Sequence, residues 1–176
     1  MLSGLIITLR ETLEAALIIG IILAFLNKTG SFKYRKNVWY GVGLGIVLSL
    51  ILAFVFQNFL GGFEGKNGEI YEGVMMFTAA GLLTWMIFWM MFQRSKVKKN
   101  LENKAQMHMQ KENPWGLTLL TFVGVAREGI ETVIFLEAAV LKEDGQQVFF
   151  GGILGILIAI LLSYFLFKGA VKIPLK

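Results

Sequence analysis

The sequence predicts an all-α integral membrane protein of about five transmembrane helices, arranged as an inverted-topology repeat. Three observations predict it. Apolar residues make up 56% of the chain and charged residues only 16%, against about 45–50% and 25% in soluble domains. The apolar residues fall into long blocks, each close to the roughly 20 residues needed to span a bilayer. The charges sort by loop, as membrane topology requires.

The five blocks run Gly4–Leu26, Val38–Leu60, Ile70–Phe92, Trp115–Leu141 and Val148–Phe167. The first has no basic segment before it and contains Arg10, Glu11 and Glu14. A secretory signal has an uncharged apolar core, so this block reads as a spanning helix and not as a cleaved leader. Between the blocks, the first loop, the third loop and the tail together hold 13 of the 17 Lys and Arg residues, whereas the second and fourth loops hold only Lys66 and Lys142. Basic loops stay cytoplasmic, which puts the N-terminus outside and the C-terminus inside. A cell membrane, crossed several times, is the expected location.

Composition excludes several functions. There is no cysteine, hence no thiolate metal site or thiol nucleophile, and His108 is the single histidine. Zinc, copper and haem sites built on His or Cys are thereby excluded within this chain. A net charge of +5 invites comparison with nucleic-acid binders, but the basic residues lie in short loops between apolar blocks, so no nucleic-acid partner is expected.

The first and fourth blocks share a motif: Arg10-Glu11-Thr12-Leu13-Glu14 and Arg127-Glu128-Gly129-Ile130-Glu131. Each is followed by a polar loop and a block that opens with glycines, Gly41, Gly43 and Gly45 in one case and Gly151, Gly152 and Gly155 in the other. G-x-x-x-G spacing lets membrane helices approach closely. Glycine is common in such helices, so the spacing alone says little; the paired order of motif and glycines says more. Three blocks separate the two starts, an odd number, so the units have opposite topology, a transporter architecture. We divide the chain into residues 1–112, a first unit of three helices with its cytoplasmic loop, and residues 113–176, a second unit of two. The partner of the third block is then expected beyond Lys176, and a homodimer is the other way to cover the open flank.

The motifs carry the chemistry. A charge at mid-helix costs roughly 2.5–3.5 kcal/mol on insertion scales. Three in the first block cost about 8–10 kcal/mol, more than its Leu, Ile and Phe residues return on the same scale. Such a helix needs partners or an ion. Glu11 and Glu14 share a helix face, as do Glu128 and Glu131, by their i, i+3 spacing. Antiparallel packing of the two helices gathers four carboxylates, the donor set a hard cation takes. Arg10 and Arg127 compensate the charge and orient the carboxylates. A purely structural Arg–Glu bridge accounts for one acid per helix and leaves the second unexplained. Glu72, at the start of the third block, and Glu137, six residues past Glu131, are candidates for an outer mouth or secondary site; Glu64 and Glu69 read equally as cation collectors at the outer mouth and as solvated loop acids. His108 reads as an exposed loop residue. Met75, Met76, Met86, Met90 and Met91 fit helix packing as well as a soft-metal face, and Trp85, Trp89 and Trp115 read as interface anchors. Two other functions compete with cation handling: an intramembrane enzyme acting on an anionic lipid phosphate, and a structural membrane subunit. Phosphate would want net positive charge, whereas here two arginines face four glutamates.

On these two motifs, and on Tyr71-Glu72-Gly73 before the third block, the whole chain resembles the oxidase-dependent, high-affinity iron permeases of fungi and their bacterial relatives. The resemblance implies a permease and not an enzyme, with iron, ferrous or ferric, as the transported substrate, no permanently bound cofactor, and the four motif glutamates as its ligands. It implies membrane lipid as the surroundings and an extracytoplasmic iron-oxidising or iron-delivering protein as partner. That family usually has seven helices, which again places further helices after Lys176. The charge sorting makes a direct prediction: a cysteine introduced as Asn67→Cys is labelled from outside the cell and Asn103→Cys from inside, and the reverse labelling would overturn the inverted repeat.

Overall fold

In the computed structural model, residues 1–60, 66–93, 97–110 and 114–170 are described. Among them there is no strand. The helices are α1 (Leu2–Lys28), α2 (Arg35–Val55), α3 (Lys66–Gln93), α4 (Val97–Gln110), α5 (Pro114–Val140) and α6 (Gly145–Ala170). A 3-10 turn, Phe32–Tyr34, leads into α2, and a π turn, Phe56–Leu60, follows it. Glu64, Arg94, Lys96, Lys111, Glu112, Lys172 and Lys176, and the side chains of Trp89, Met90 and Met91, lie outside the described residues.

Local chemistry sets the helix ends. α1 stops where Gly30 takes a φ of 69°, a conformation glycine adopts without a Cβ penalty. Ser31 N–H then bonds Leu26 O at 2.9 Å and Gly30 N–H bonds Asn27 O at 3.3 Å, a Schellman closure that satisfies the last carbonyls. α5 opens on Pro114, whose missing N–H costs nothing in the first turn. Asp144 caps α6, its Oδ1 accepting the Gln146 N–H at 2.9 Å.

Among the described residues, three segments are long and apolar enough to cross a membrane by length and composition, Phe32–Asn58, Gly68–Phe88 and Gly145–Lys168. α1 and α5 have 27 residues each, about 40 Å at 1.5 Å per residue, and carry the motif charges. The polar segment after α3, read from sequence as a loop, instead forms the 14-residue helix α4. Leu101, Ala105 and His108 lie on one face of it, and Ala105 is fully buried with Ile22, Leu26, Tyr34, Val38 and Leu117. The stripe is too short, and its surroundings too polar, to announce a packed helix. His108 is half-buried, not exposed, its ring set against Gly116.

The most extensive packing is between α2 and α5 and between α1 and α6, with α1 and α5 in contact between these pairs and α3 resting on α5. Gly4 meets Val148 and Gly20 meets Phe167, so α1 and α6 run parallel; Gly41 meets Thr118 and Gly45 meets Val125, so α2 and α5 do too. The first turn of α1 reaches Glu143 beyond the end of α5, and Leu26 meets Leu117 near its start, so α1 and α5 are antiparallel. Each motif helix is thereby held by the glycine-bearing helix that follows the other motif. A Cβ on Gly41 would lie 2.5 Å from the Thr118 carbonyl oxygen, and one on Gly155 would collide with the Thr8 hydroxyl and the Leu5 carbonyl. Thr8 Oγ1 uses that approach to donate to Gly152 O at 2.8 Å.

At the α5–α6 turn, the N-terminal amine pairs with Glu143 Oε2 at 3.0 Å and the Ser3 hydroxyl donates to Oε1. The Ser3 hydrogen bond first, and the amine second, hold the Glu143 carboxyl below its ordinary value of 4.5.

Two predictions follow from this packing. Gly155→Ala forces α1 and α6 apart and costs about 1–3 kcal/mol by overpacking, read as a lower melting temperature in detergent. Gly43→Ala, with nothing within 4 Å of the added carbon, leaves it unchanged. The Glu143 clasp has a depressed carboxyl, so its contribution is complete above the ordinary carboxylate value and is lost as pH falls through the lower folded one. The protection of the Leu5 N–H relative to its intrinsic exchange rate therefore falls on acidification in the native chain, and Glu143→Gln removes that dependence.

Candidate metal centre

The two motifs meet where α1 and α5 cross. Spacing of three and four residues places Glu11 and Glu14, and Glu128 and Glu131, on the faces these helices turn toward each other. Glu11 is 1% exposed, Glu128 4% and Glu131 7%. Each of these three offers a carboxylate oxygen, and the three oxygens lie within 4.8 Å of one another. Glu14 is half-buried and stands outside the trio, so of four predicted ligands the fold joins three.

The arginines bind these carboxylates unequally. Arg10 donates through Nη2 to Oε1 of Glu11, its immediate neighbour. Arg127 donates through Nε to Oε1 of Glu131, one turn on, at 2.9 Å, with Glu128 Oε1 at 4.0 Å. In every case the arginine faces Oε1. The second oxygens, Glu11 Oε2, Glu128 Oε2 and Glu131 Oε2, are buried with no hydrogen-bond partner, and so is Arg10 Nε. Buried polar atoms are nearly always satisfied, so three orphaned acceptors in one place mark a position for a ligand. With all groups ionised, three carboxylates and two guanidiniums leave one negative charge, and Glu14 adds a second. Oxygen donors in an anionic, water-poor site suit a hard cation. They do not suit a phosphate, which would meet three carboxylates.

The helix packing supports the site at close range. Thr132 Oγ1 donates to the Glu128 carbonyl at 2.7 Å. Gly129, inside the second motif, lies against Ser49 of α2, so a side chain there would displace the Ser49 hydroxyl and push α2 off the motif. Phe135 is 5% exposed, and its ring lies 5.4 Å from the Arg10 guanidinium carbon.

The outer candidates separate. Glu72 and Glu69 are exposed on α3. Glu137 is half-buried and accepts a hydrogen bond from the Tyr71 hydroxyl at 3.0 Å, tying α3 to α5. Met75 and Met86 are buried at 6% and 4%. Trp85 and Trp115 are 68% and 75% exposed, as an anchor at a lipid interface would be. Two contributors went unread in the sequence, Phe135 and Ser49. Phe135 is four residues past Glu131 and so on the same face, a signal that was available. Ser49 belongs to another helix, and nothing in its neighbours points to the motif.

The sequence model of the iron permease FTR1 family matches residues 1–176. The ferrous iron permease EfeU of Escherichia coli O6:H1 (strain CFT073) is 37% identical over 172 residues, 97% of this chain and 62% of that protein. EfeU of Yersinia pestis is 36% identical over the same length, 97% of this chain and 61% of that one. A protein of Escherichia coli K12 described as a putative inactive ferrous iron permease EfeU is also 37% identical, covering 62% of its length. The chain thus spans about three-fifths of the length of the curated relatives it matches. No solved structure matches it.

Proposed function

The chain belongs to the iron permease FTR1 family, and from that premise we propose that it takes up iron across the membrane, holding the ion on the carboxylates of its two Arg-Glu-x-x-Glu motifs. One observation carries this reading: three buried carboxylates converge from two helices, each with one oxygen on or facing an arginine and the other unpartnered. A structural bridge would leave no such surplus, and a lipid-phosphate enzyme would need the opposite charge. The ion is the substrate, and its charge relieves the repulsion among the carboxylates.

In this reading all five long helices cross the membrane with the N-terminus outside, and the two motif units form an inverted repeat. The reciprocal packing of motif helices on glycine helices supports that. α1 then runs inward and α5 outward, which orders the acids by depth. Glu137 stands about 9 Å outward of Glu131 along α5, and Glu14 about 4.5 Å inward of Glu11 along α1, at 1.5 Å per residue. Iron passes Glu137, reaches the trio and transfers to Glu14, which is close enough to compete for the ion without capping the site. The outward face receives iron from an extracytoplasmic delivering or oxidising partner. At this level of similarity one relative is described as putatively inactive, so the test must read the site itself.

We expect ferrous iron, added anaerobically to the chain in detergent, to raise its melting temperature; saturation at 100 times Kd corresponds to about 2.7 kcal/mol. Glu131→Gln abolishes the shift while the chain still inserts. Glu14→Gln keeps most of it but, in vesicles, slows flux. Arg10→Ala leaves an uncompensated buried carboxylate and lowers expression as well. A melting temperature indifferent to iron, or a Glu131→Gln chain that responds like the native one, would sink the proposal.

A further inference from the structure

The two motifs match in sequence but not in how their arginines are held. Arg127 bonds a carboxylate on its own helix one turn on, through Nε. Arg10 bonds Glu11, its immediate neighbour, through Nη2, and its Nε is buried without a hydrogen-bond partner. What faces the Arg10 guanidinium from across the interface is a ring: its central carbon lies 5.4 Å from the centroid of Phe135 on α5, and Phe135 is 5% exposed. The corresponding position after the first motif, eight residues past its arginine, is Ile18. At this position the sequence has a ring after the second motif and an aliphatic side chain after the first.

We infer that Phe135 is a positioning residue for the iron site, acting through Arg10 to fix which oxygen of Glu11 faces the ion. This rests on the reading of the carboxylate trio as the iron site. The ring's negative face attracts the guanidinium, and the attraction is strongest where water is excluded. Held there, Arg10 keeps Oε1 of Glu11, and Oε2 stays without a partner. Without the ring, a guanidinium with an unpartnered Nε has reason to turn, and the nearest unpartnered acceptor on its own carboxylate is Oε2 of Glu11. Arg10 would then grip Glu11 with both nitrogens, the geometry arginine prefers with carboxylates, and occupy the oxygen the ion needs. Phe135 thus keeps an internal cation from competing with the transported one. Position supports the assignment: Phe135 follows Glu131 by four residues, so the ring and a ligand share one face of α5 while Arg10 and Glu11 share α1.

The test varies the ring's charge at constant shape. Phenylalanines with one, two and three ring fluorines are placed at position 135 of the whole chain, and affinity for anaerobic ferrous iron is measured by calorimetry in detergent. Each fluorine drains the ring face, so affinity falls stepwise, by between about twofold and thirtyfold across the series, the range a cation–π contact is worth. The melting temperature without iron stays level across the fluorine series, since the ring's shape is kept, whereas Phe135→Leu and Phe135→Met lower it by leaving a gap. Phe135→Tyr and Phe135→Trp retain affinity; Phe135→Leu and Phe135→Met lose it. A flat fluorine series in a chain that binds iron would overturn this inference and leave the iron site standing. Failure of the native chain to bind iron would overturn both.

Discussion

A carboxylate taken out of water must find a counter-charge, a donor or an ion, because the cost of leaving it alone exceeds what most single contacts supply. Here three such groups are buried within a few ångströms of one another, and two arginines face one oxygen of each. That shortfall organises the molecule. It requires α1 and α5 to lie together, since neither motif neutralises itself, and it requires the crossing to be tight, since a wetter or wider one would hydrate the oxygens instead of presenting them. A fully satisfied cluster would have nothing to offer an ion, whereas this one keeps three carboxylate oxygens without a partner.

The tightness comes from glycine and from small hydroxyl residues. Lipid gives helices no hydrophobic reason to associate, so close packing and interhelical hydrogen bonds must do it. Gly41 and Gly45 admit α5, and Gly151 and Gly155 admit α1, where Thr8 reaches the Gly152 carbonyl at 2.8 Å. Each motif helix is thus seated by the glycine helix that follows the other motif. Gly129 stands between Glu128 and Glu131 on α5 and against Ser49, so any side chain there would disturb the packing beside them.

Most of the helices could be read directly. Each apolar block falls within a helix, to a residue or so, apart from the π turn that ends the second, because length and hydropathy decide a helix in a chain of this composition. The two motifs could be read because charge in an apolar run is costly and therefore conspicuous. α4 could not, since its buried face is three residues of modest hydrophobicity. The departure of His108 from an exposed position follows from the same helix, which lays the ring on Gly116.

What the sequence determined by itself, then, was that this chain is helical, that its carboxylates pair by helical spacing, and that hard-cation chemistry suits them; periodicity and transfer cost are properties of local sequence. What only the tertiary structure decided was which acids meet. Spacing along one helix treats Glu14 like Glu11 and gives Glu137 no partner. The crossing of α1 over α5 leaves Glu14 outside the trio, puts Tyr71 on Glu137, and sets Phe135 against Arg10. The reason is physical: the relative rotation of two helices is fixed by the glycines and side chains of the neighbours that clamp them, and those lie far away in the chain.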